Sequence, residues 1–152
     1  MFLKKSLIVS FAAVLLLASS ARTAEKTAPS KEKELIFKVV ERNSKAIALL
    51  GDNIYYFAEL GMQEFETAKL MTQILEDAGF KVQRGISGMP TAFMATYGSG
   101  HPVVAIHTEY DTTPGNSQTP GVPEHKPLVE GAPGHAEGDN VNAAVMVGAG
   151  YA

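Results

Sequence analysis

Apolar positions recur at helical spacing through the first half of the chain. Between residues 34 and 58 they stand three or four positions apart, with charged or polar residues between them. This period predicts an amphipathic helix over residues 34–58, either continuous or broken near Gly51 and Asp52. Gly61 is expected to follow it as a left-handed cap. A second pattern of the same kind predicts a helix over residues 64–78, which Gly79 ends.

Three shorter apolar segments predict strands over residues 80–84, 91–97 and 102–109. The third contains the uninterrupted apolar run 103–106, which is typical of a strand covered on both faces. A Gly-Ser-Gly turn at residues 98–100 predicts that the last two strands are neighbours or form a hairpin. The resulting fold class is α/β, with a mixed sheet flanked by helices.

A long loop and a final helix complete the pattern. Residues 112–134 are almost all turn formers, and loops of this length are usually functional or disordered. The last helix is expected to begin near Asn140, and its small, apolar composition predicts complete burial. Because ligands gather at the carboxyl ends of strands, the end of the third strand and the start of this helix are expected to meet at one sheet edge.

The N-terminal residues have the composition of a targeting segment. Lys4 and Lys5 precede the apolar run 6–18, and small residues follow at 19–21. These features predict a cleaved signal peptide over residues 1–21 and a secreted or periplasmic product. A transmembrane anchor is the alternative, but the run is shorter than the roughly 20 residues that span a bilayer. A charged linker over residues 22–33 and a domain over residues 34–152 complete the predicted organisation, with no stable membrane span after cleavage.

Composition narrows the possible chemistry. The chain has no Cys and a net charge of −3. Without Cys there is no thiolate ligand, so a metal site has to use carboxylates and imidazoles. The chain has no basic cluster, which makes nucleic acid a poor partner.

Candidate metal ligands concentrate between residues 107 and 139. Carboxylate and imidazole donors at strand and helix ends are typical of divalent-metal sites. If residues 107–111 alternate as in a strand, His107, Glu109 and Asp111 share one face. The candidates are His107, Glu109, Asp111, His125, His135, Glu137 and Asp139.

The best candidates in this set are two carboxylates separated by a glycine. Gly138 would allow Glu137 and Asp139 to present their carboxylates to one or two divalent metals. His135 is a further candidate ligand, and Asp111 is expected to support the ligands from behind.

Some of these residues could have a structural role instead of binding metal. Asp139 or Asn140 could cap the final helix. Glu137 could be an exposed loop residue, and His135 could be a neutral loop histidine bonded to the backbone. His101 and His125 are expected to be surface residues.

Several motifs resemble those of metal-dependent amidohydrolases and peptidases related to aminoacylase and p-aminobenzoyl-glutamate hydrolase. They occur in the same order and cover most of the chain after the linker. The motifs are Glu59-Leu60-Gly61-Met62-Gln63-Glu64, Glu76-Asp77-Ala78-Gly79-Phe80, Gly88-Met89-Pro90-Thr91-Ala92, Glu109-Tyr110-Asp111-Thr112-Thr113-Pro114 and Gly131-Ala132-Pro133-Gly134-His135.

This resemblance implies the catalytic domain of a zinc-peptidase-like fold in a two-domain enzyme with zinc or manganese. Such enzymes hydrolyse amide bonds of N-acyl amino acids or small peptides, and often dimerise through a domain that this sequence lacks. The family's metal segment has Cys and His where this chain has Glu137 and Asp139. Compared with a site made only of Cys and His, oxygen donors at these positions favour manganese or another harder cation.

The resemblance also implies a general-base Glu and later His ligands that lie beyond residue 152. We therefore expect an N-terminal portion of a secreted amidohydrolase that is inactive as this chain alone. One alternative is a non-catalytic fragment or pseudoenzyme that binds metal weakly or pairs with a partner. Another is a small periplasmic metal-binding protein.

Overall fold

The computed structural model describes residues 28–152. The predicted signal peptide and half of the predicted linker lie outside these residues. The fold described below is that of the compact unit Glu32–Ala152, whose first helix begins one residue earlier, at Lys31. Its elements are α1 (Lys31–Phe57), α2 (Phe65–Asp77), β1 (Lys81–Arg84), β2 (Phe93–Thr96) and α3 (Asp139–Tyr151).

The three predicted helices are confirmed, with changes at their ends. Helix α1 begins slightly before the predicted position and continues through Gly51 without a break. Gly51 is buried there, and its carbonyl accepts a hydrogen bond from Asn140 Nδ2 at 3.2 Å. The predicted left-handed cap at Gly61 is wrong. Ala58 takes the positive φ directly after α1, and Met62 takes another in the following turn.

The core lies where the three helices meet. Helices α1 and α2 each contribute two large apolar side chains, whereas α3 contributes mainly alanines, which let it approach the others closely. The buried residues are Leu50, Ile54, Met71, Leu75, Ala143, Ala144 and Val147. The predicted complete burial of α3 is wrong, because only one of its faces packs on the other helices. Val141 and Val145 on α3 remain about half exposed.

The sheet is smaller than predicted. Strands β1 and β2 form an antiparallel pair in which Lys81 lies opposite Thr96 and Arg84 opposite Phe93. This sheet packs against α2. The described residues thus combine helices with a two-stranded antiparallel sheet, which is compatible with the α/β class. The mixed sheet that was expected is not formed by them.

The predicted third strand is wrong. Residues 102–109 belong to no strand, and β2 pairs with β1 rather than with this segment. Val103 and Val104 are 77% and 82% exposed. Apolar composition alone predicted this strand. A strand also needs a neighbour that bonds to its backbone, and none of the described residues provides one here.

Among the helices of residues 28–152, none is both long enough and apolar enough to cross a bilayer.

Candidate functional site

The two segments that carry the predicted site lie side by side. Thr113 N donates to the Gly134 carbonyl, and Gly134 N donates to the Thr113 carbonyl, each at 3.1 Å. This antiparallel bridge joins the segment after Asp111 to the segment that leads into His135. The expectation that the two motifs meet is confirmed, although a single bridge joins them rather than a sheet edge.

Gly134 is the point of closest approach in this arrangement. A Cβ atom at Gly134 would overlap the Asn116 carbonyl and would lie 2.8 Å from Ser117 Cα. Both contacts are with backbone, which cannot rotate away as a side chain can. Only glycine therefore fits between the bridge and the following loop.

The turn between α1 and α2 holds the other side of the site. The Glu59 carbonyl accepts hydrogen bonds from Thr112 N at 3.0 Å and from Thr112 Oγ1 at 2.7 Å. The Glu59 carboxylate also accepts the backbone N–H groups of Glu66 and Thr67, each at 2.9 Å, in the first turn of α2. One residue thus fixes both the start of α2 and the segment that follows Asp111.

Gly61 and Tyr110 further restrict the position of Asp111. A Cβ at Gly61 would lie 3.4 Å from Asp111 Oδ2, so the carboxylate packs against this turn. Tyr110 donates to the Thr91 carbonyl at 2.5 Å, and Thr91 Oγ1 donates to the buried Glu64 carboxylate at 2.6 Å. Burial and the nearby Glu64 charge raise the pKa of Tyr110 to about 12. Tyr110 therefore remains a neutral donor at physiological pH.

His135 is half-buried, and one of its ring nitrogens has no partner. Its Nε2 lies 3.0 Å from the Ile54 carbonyl, and its ring stacks on Tyr55 with centroids 6.0 Å apart. Within residues 28–152, the buried Nδ1 has no hydrogen-bond partner. Burial lowers the pKa of His135, against the opposing effects of the Ile54 carbonyl and the charges of Asp139 and Asp111.

The tautomer of His135 follows from these contacts. A carbonyl oxygen accepts but cannot donate, so Nε2 must carry the proton. In the neutral ring, Nδ1 then holds a lone pair with no donor facing it. His135 can therefore bond to the backbone through Nε2 and still offer Nδ1 to a metal. Its two predicted roles are compatible for this reason.

Glu137 and Asp139 follow His135 at the entrance to α3. Glu137 is exposed, and its Oε1 accepts a long hydrogen bond from Thr113 Oγ1 at 3.5 Å. Asp139 is the first residue of α3 and accepts from Asn142 Nδ2 at 3.2 Å. Gly138, with φ of 93°, makes the bend that was predicted between the two carboxylates.

The predicted helix caps at Asp139 and Asn140 are wrong. Gly138 is the N-cap of α3 and makes no side-chain capping bond. Asn140 points instead to Gly51 in the interface with α1. The exposed surface positions predicted for His101 and His125 are confirmed. His107 and Glu109 are also exposed, since the strand that would have aligned them with Asp111 is not formed.

These donors do not amount to a complete metal-binding group. Among the described residues, no set of three or more His, Asp or Glu side chains is arranged to hold a metal ion. The donor chemistry suits zinc or manganese in part, with one imidazole lone pair and carboxylates within electrostatic range of it. A complete site requires further ligands.

Three residues that build the site are not among those predicted from the sequence. Glu59 and Thr113 anchor the two segments, and Tyr55 supports the His135 ring. Glu59 and Thr113 lie within motifs of the family resemblance, but their roles depend on contacts with residues far along the chain. Tyr55 lies in no such motif and carries no local signal of its role.

Two curated proteins match this sequence. It is 34% identical to one subunit of the p-aminobenzoyl-glutamate hydrolase of Escherichia coli (strain K12) over 102 residues, 67% of this chain and 21% of that protein. It is 31% identical to thermostable carboxypeptidase 1 of Saccharolobus solfataricus over 100 residues, 64% of this chain and 24% of that protein. The predicted resemblance to this peptidase and amidohydrolase family is confirmed. The matched region spans about a fifth to a quarter of each relative.

Two further comparisons found no relative. No family model matches the chain. No solved structure gives a significant match.

Proposed function

We propose that residues 34–152 form the N-terminal portion of the catalytic domain of a metal-dependent amidohydrolase. The observation that carries the proposal is the match to two hydrolases, whose names describe cleavage of p-aminobenzoyl-glutamate and of peptides at the carboxyl end. Both reactions break an amide bond next to a small carboxylate-bearing group. The substrate class proposed for this protein is therefore N-acyl amino acids or small peptides.

In this proposal, the chain supplies part of a metal site. His135 offers the Nδ1 lone pair, and Glu137 and Asp139 offer carboxylates on either side of the bend at Gly138. Asp111 is close enough for its charge to act on the His135 ring, and its proposed role is to support the ligands. A zinc or manganese ion bound by such donors would polarise the amide carbonyl and make water a better nucleophile.

Contacts within the protein would orient the proposed metal ligands. The Ile54 carbonyl holds the proton of His135 on Nε2, which would leave the Nδ1 lone pair available to a metal. The bridge between Thr113 and Gly134 keeps Asp111 close to His135. We expect the 152-residue chain alone to bind metal but not to hydrolyse substrate, because the remaining ligands and the general base are proposed to come from outside it.

Metal titration tests the ligand assignment. Calorimetry with Mn²⁺ and Zn²⁺ should show binding that falls at least tenfold in the double variant Glu137→Ala/Asp139→Ala. His135→Ala should have a similar effect. Glu124→Ala removes an exposed carboxylate from the preceding loop and serves as the matched control. Unchanged binding in the double variant would remove Glu137 and Asp139 from the site.

A chimera tests the proposed reaction. Residues 34–152 would replace the matching segment of the related E. coli p-aminobenzoyl-glutamate hydrolase chain, co-expressed with any other subunit that the enzyme requires. The chimera should release p-aminobenzoate in the presence of Mn²⁺ or Zn²⁺, and the double variant should not. A soluble chimera with native-like circular dichroism but no hydrolysis would count against the amidohydrolase assignment.

A non-catalytic partner-binding role is the second candidate. Val103, Val104 and Ile106 are exposed, and no described residue pairs with their backbone, which favours this role. The chimera discriminates between the two functions, since a segment adapted only to bind a partner would not support hydrolysis.

A further inference from the structure

The segment that carries the candidate donors is attached to α1 at both of its ends. At one end, His135 Nε2 donates to the Ile54 carbonyl at 3.0 Å. At the other end, Asn140 Nδ2 donates to the Gly51 carbonyl at 3.2 Å. Residues 135–140, the donor segment, therefore have a fixed attachment on either side of their two carboxylates.

The two attachment points lie close together on α1. Gly51 and Ile54 are three positions apart, which corresponds to a rise of about 4.5 Å along a helix. The six residues of the donor segment could span roughly 20 Å if they were extended. The donor segment thus has more length than the distance it covers, and it arches between its attachments. The bend lies at Gly138, whose φ of 93° is in the left-handed region.

This arch determines where the two carboxylates emerge. Asp139 is partly buried at the first residue of α3, and Glu137 is exposed on the other side of the bend. Asp139 and Asn140 are consecutive in the first turn of α3, so their side chains leave the helix about 100° apart. An anchored Asn140 therefore fixes the direction of Asp139 about the helix axis.

Asn140 suits this anchoring role in both burial and chemistry. Its side chain is 9% exposed, in the interface between α1 and α3. The helices approach closely here, since a Cβ at Gly51 would lie 3.5 Å from Ala144 Cβ and 3.5 Å from the Asn140 carbonyl oxygen. The asparagine amide donates to the Gly51 carbonyl, whereas an ionised aspartate of the same shape could only accept. The contact therefore depends on the donor as well as on the size of the side chain.

We propose that Asn140 is a positioning residue that holds the carboxylates of Glu137 and Asp139 beside His135 for a shared divalent metal. The inference rests on the proposed function, which assigns metal binding to these donors. Asn140 acts through its attachment to α1 and is not itself a ligand. Without this attachment one end of the arch is free, and the carboxylates adopt orientations that do not share a metal with His135 Nδ1.

Metal titration of Asn140→Ala tests the proposal. Affinity for Mn²⁺ and Zn²⁺ in calorimetry should fall about tenfold or more, as is typical when a residue that supports metal ligands is removed. Thr72→Val is the matched control, because it also removes a buried side-chain hydrogen bond, from Thr72 Oγ1 to the Ala68 carbonyl at 2.7 Å, but within α2. Thr72→Val should keep the metal affinity of the wild-type chain.

Thermal unfolding of both variants separates positioning from general instability. The titrations are made well below the lower of the two midpoints, where both variants are folded. No loss of affinity in Asn140→Ala, or an equal loss in Thr72→Val, would overturn the proposal.

Two-dimensional NMR without metal provides a second measurement. In the wild-type chain, the side-chain amide protons of Asn140 should show nuclear Overhauser effects to Gly51. In Asn140→Ala, ¹⁵N relaxation should show increased motion of residues 136–139, with residues 143–148 of α3 unchanged. Absence of the Overhauser effects, or unchanged motion of residues 136–139, would also overturn the proposal.

The titrations distinguish failure of this inference from failure of the proposed function. Metal binding that is lost in Glu137→Ala/Asp139→Ala but kept in Asn140→Ala would support the metal site and contradict the positioning role. Absence of metal binding by the wild-type chain would contradict the proposed metal site itself, and the positioning role with it.

Discussion

Thr113 and Gly134 exchange two backbone hydrogen bonds of 3.1 Å, although 20 residues of loop separate them. This contact brings the Asp111 segment beside His135. It also places the Gly134 backbone against Asn116 and Ser117, where no side chain fits. The bridge therefore depends on the residue type at one position.

Gly134→Ala should destabilise the fold and disturb the site. The added Cβ would clash with the Asn116 carbonyl, and such overpacking costs about 2 kcal/mol. Thermal unfolding by circular dichroism should show a midpoint several degrees lower. Gly150→Ala is the matched control, because nothing lies within 4 Å of a Cβ at that position. An equal midpoint for the two variants would contradict the close approach at Gly134.

Glu59→Ala should weaken the start of α2. The carboxylate accepts two backbone N–H groups of the first turn, and loss of a cap of this kind costs about 1 kcal/mol. Urea unfolding measures the change. Glu66→Ala in the same turn is the control, since its pairing with Lys69 is exposed and 3.7 Å long. The cap would be refuted if Glu66→Ala were as destabilising as Glu59→Ala.

Tyr110 should ionise only in strongly alkaline solution. Its folded pKa of about 12 lies above the usual value of 10, so the neutral form is the one that the fold stabilises. This contribution is complete below pH 10 and is lost as the pH rises through about 12. Absorbance at about 295 nm should show a component near pH 12 that Tyr110→Phe removes. Persistence of that component in the variant would assign it to another tyrosine.

Val104→Lys should reduce self-association of the chain. Val104 is 82% exposed, and residues 103–110 form no backbone–backbone hydrogen bond with other described residues. An apolar segment with an unpaired backbone is a template for intermolecular strand pairing, and a Lys on it opposes this. Sedimentation velocity over a range of concentrations measures the effect.

Val141→Lys is the control for this prediction. Val141 is also apolar and 56% exposed, but its backbone lies within α3. The substitution should have the smaller effect. If both variants reduced association equally, exposed apolar area rather than the unpaired backbone would be the cause.

Elements set by local interactions were predicted more accurately than elements that depend on contacts between distant residues. Helix α2 was predicted closely because its apolar spacing and the glycine at residue 79 are local signals. The strand predicted over residues 102–109 was wrong because strand formation depends on a neighbour elsewhere in the chain. Asp is a residue type that often caps helices, but Asp139 lies one residue inside the helix because Gly138 occupies the cap position.

The sequence by itself determined the helices, the region of the chain that holds the candidate donors and the family that it resembles. Local periodicity and ordered motifs encode these features directly. Only the tertiary structure decided which nitrogen of His135 is free, because that depends on a carbonyl in α1, 81 positions away in the chain. It likewise decided that Glu59 and Gly134 hold the site together. Each of these properties arises from contacts between distant residues, and no local pattern records them.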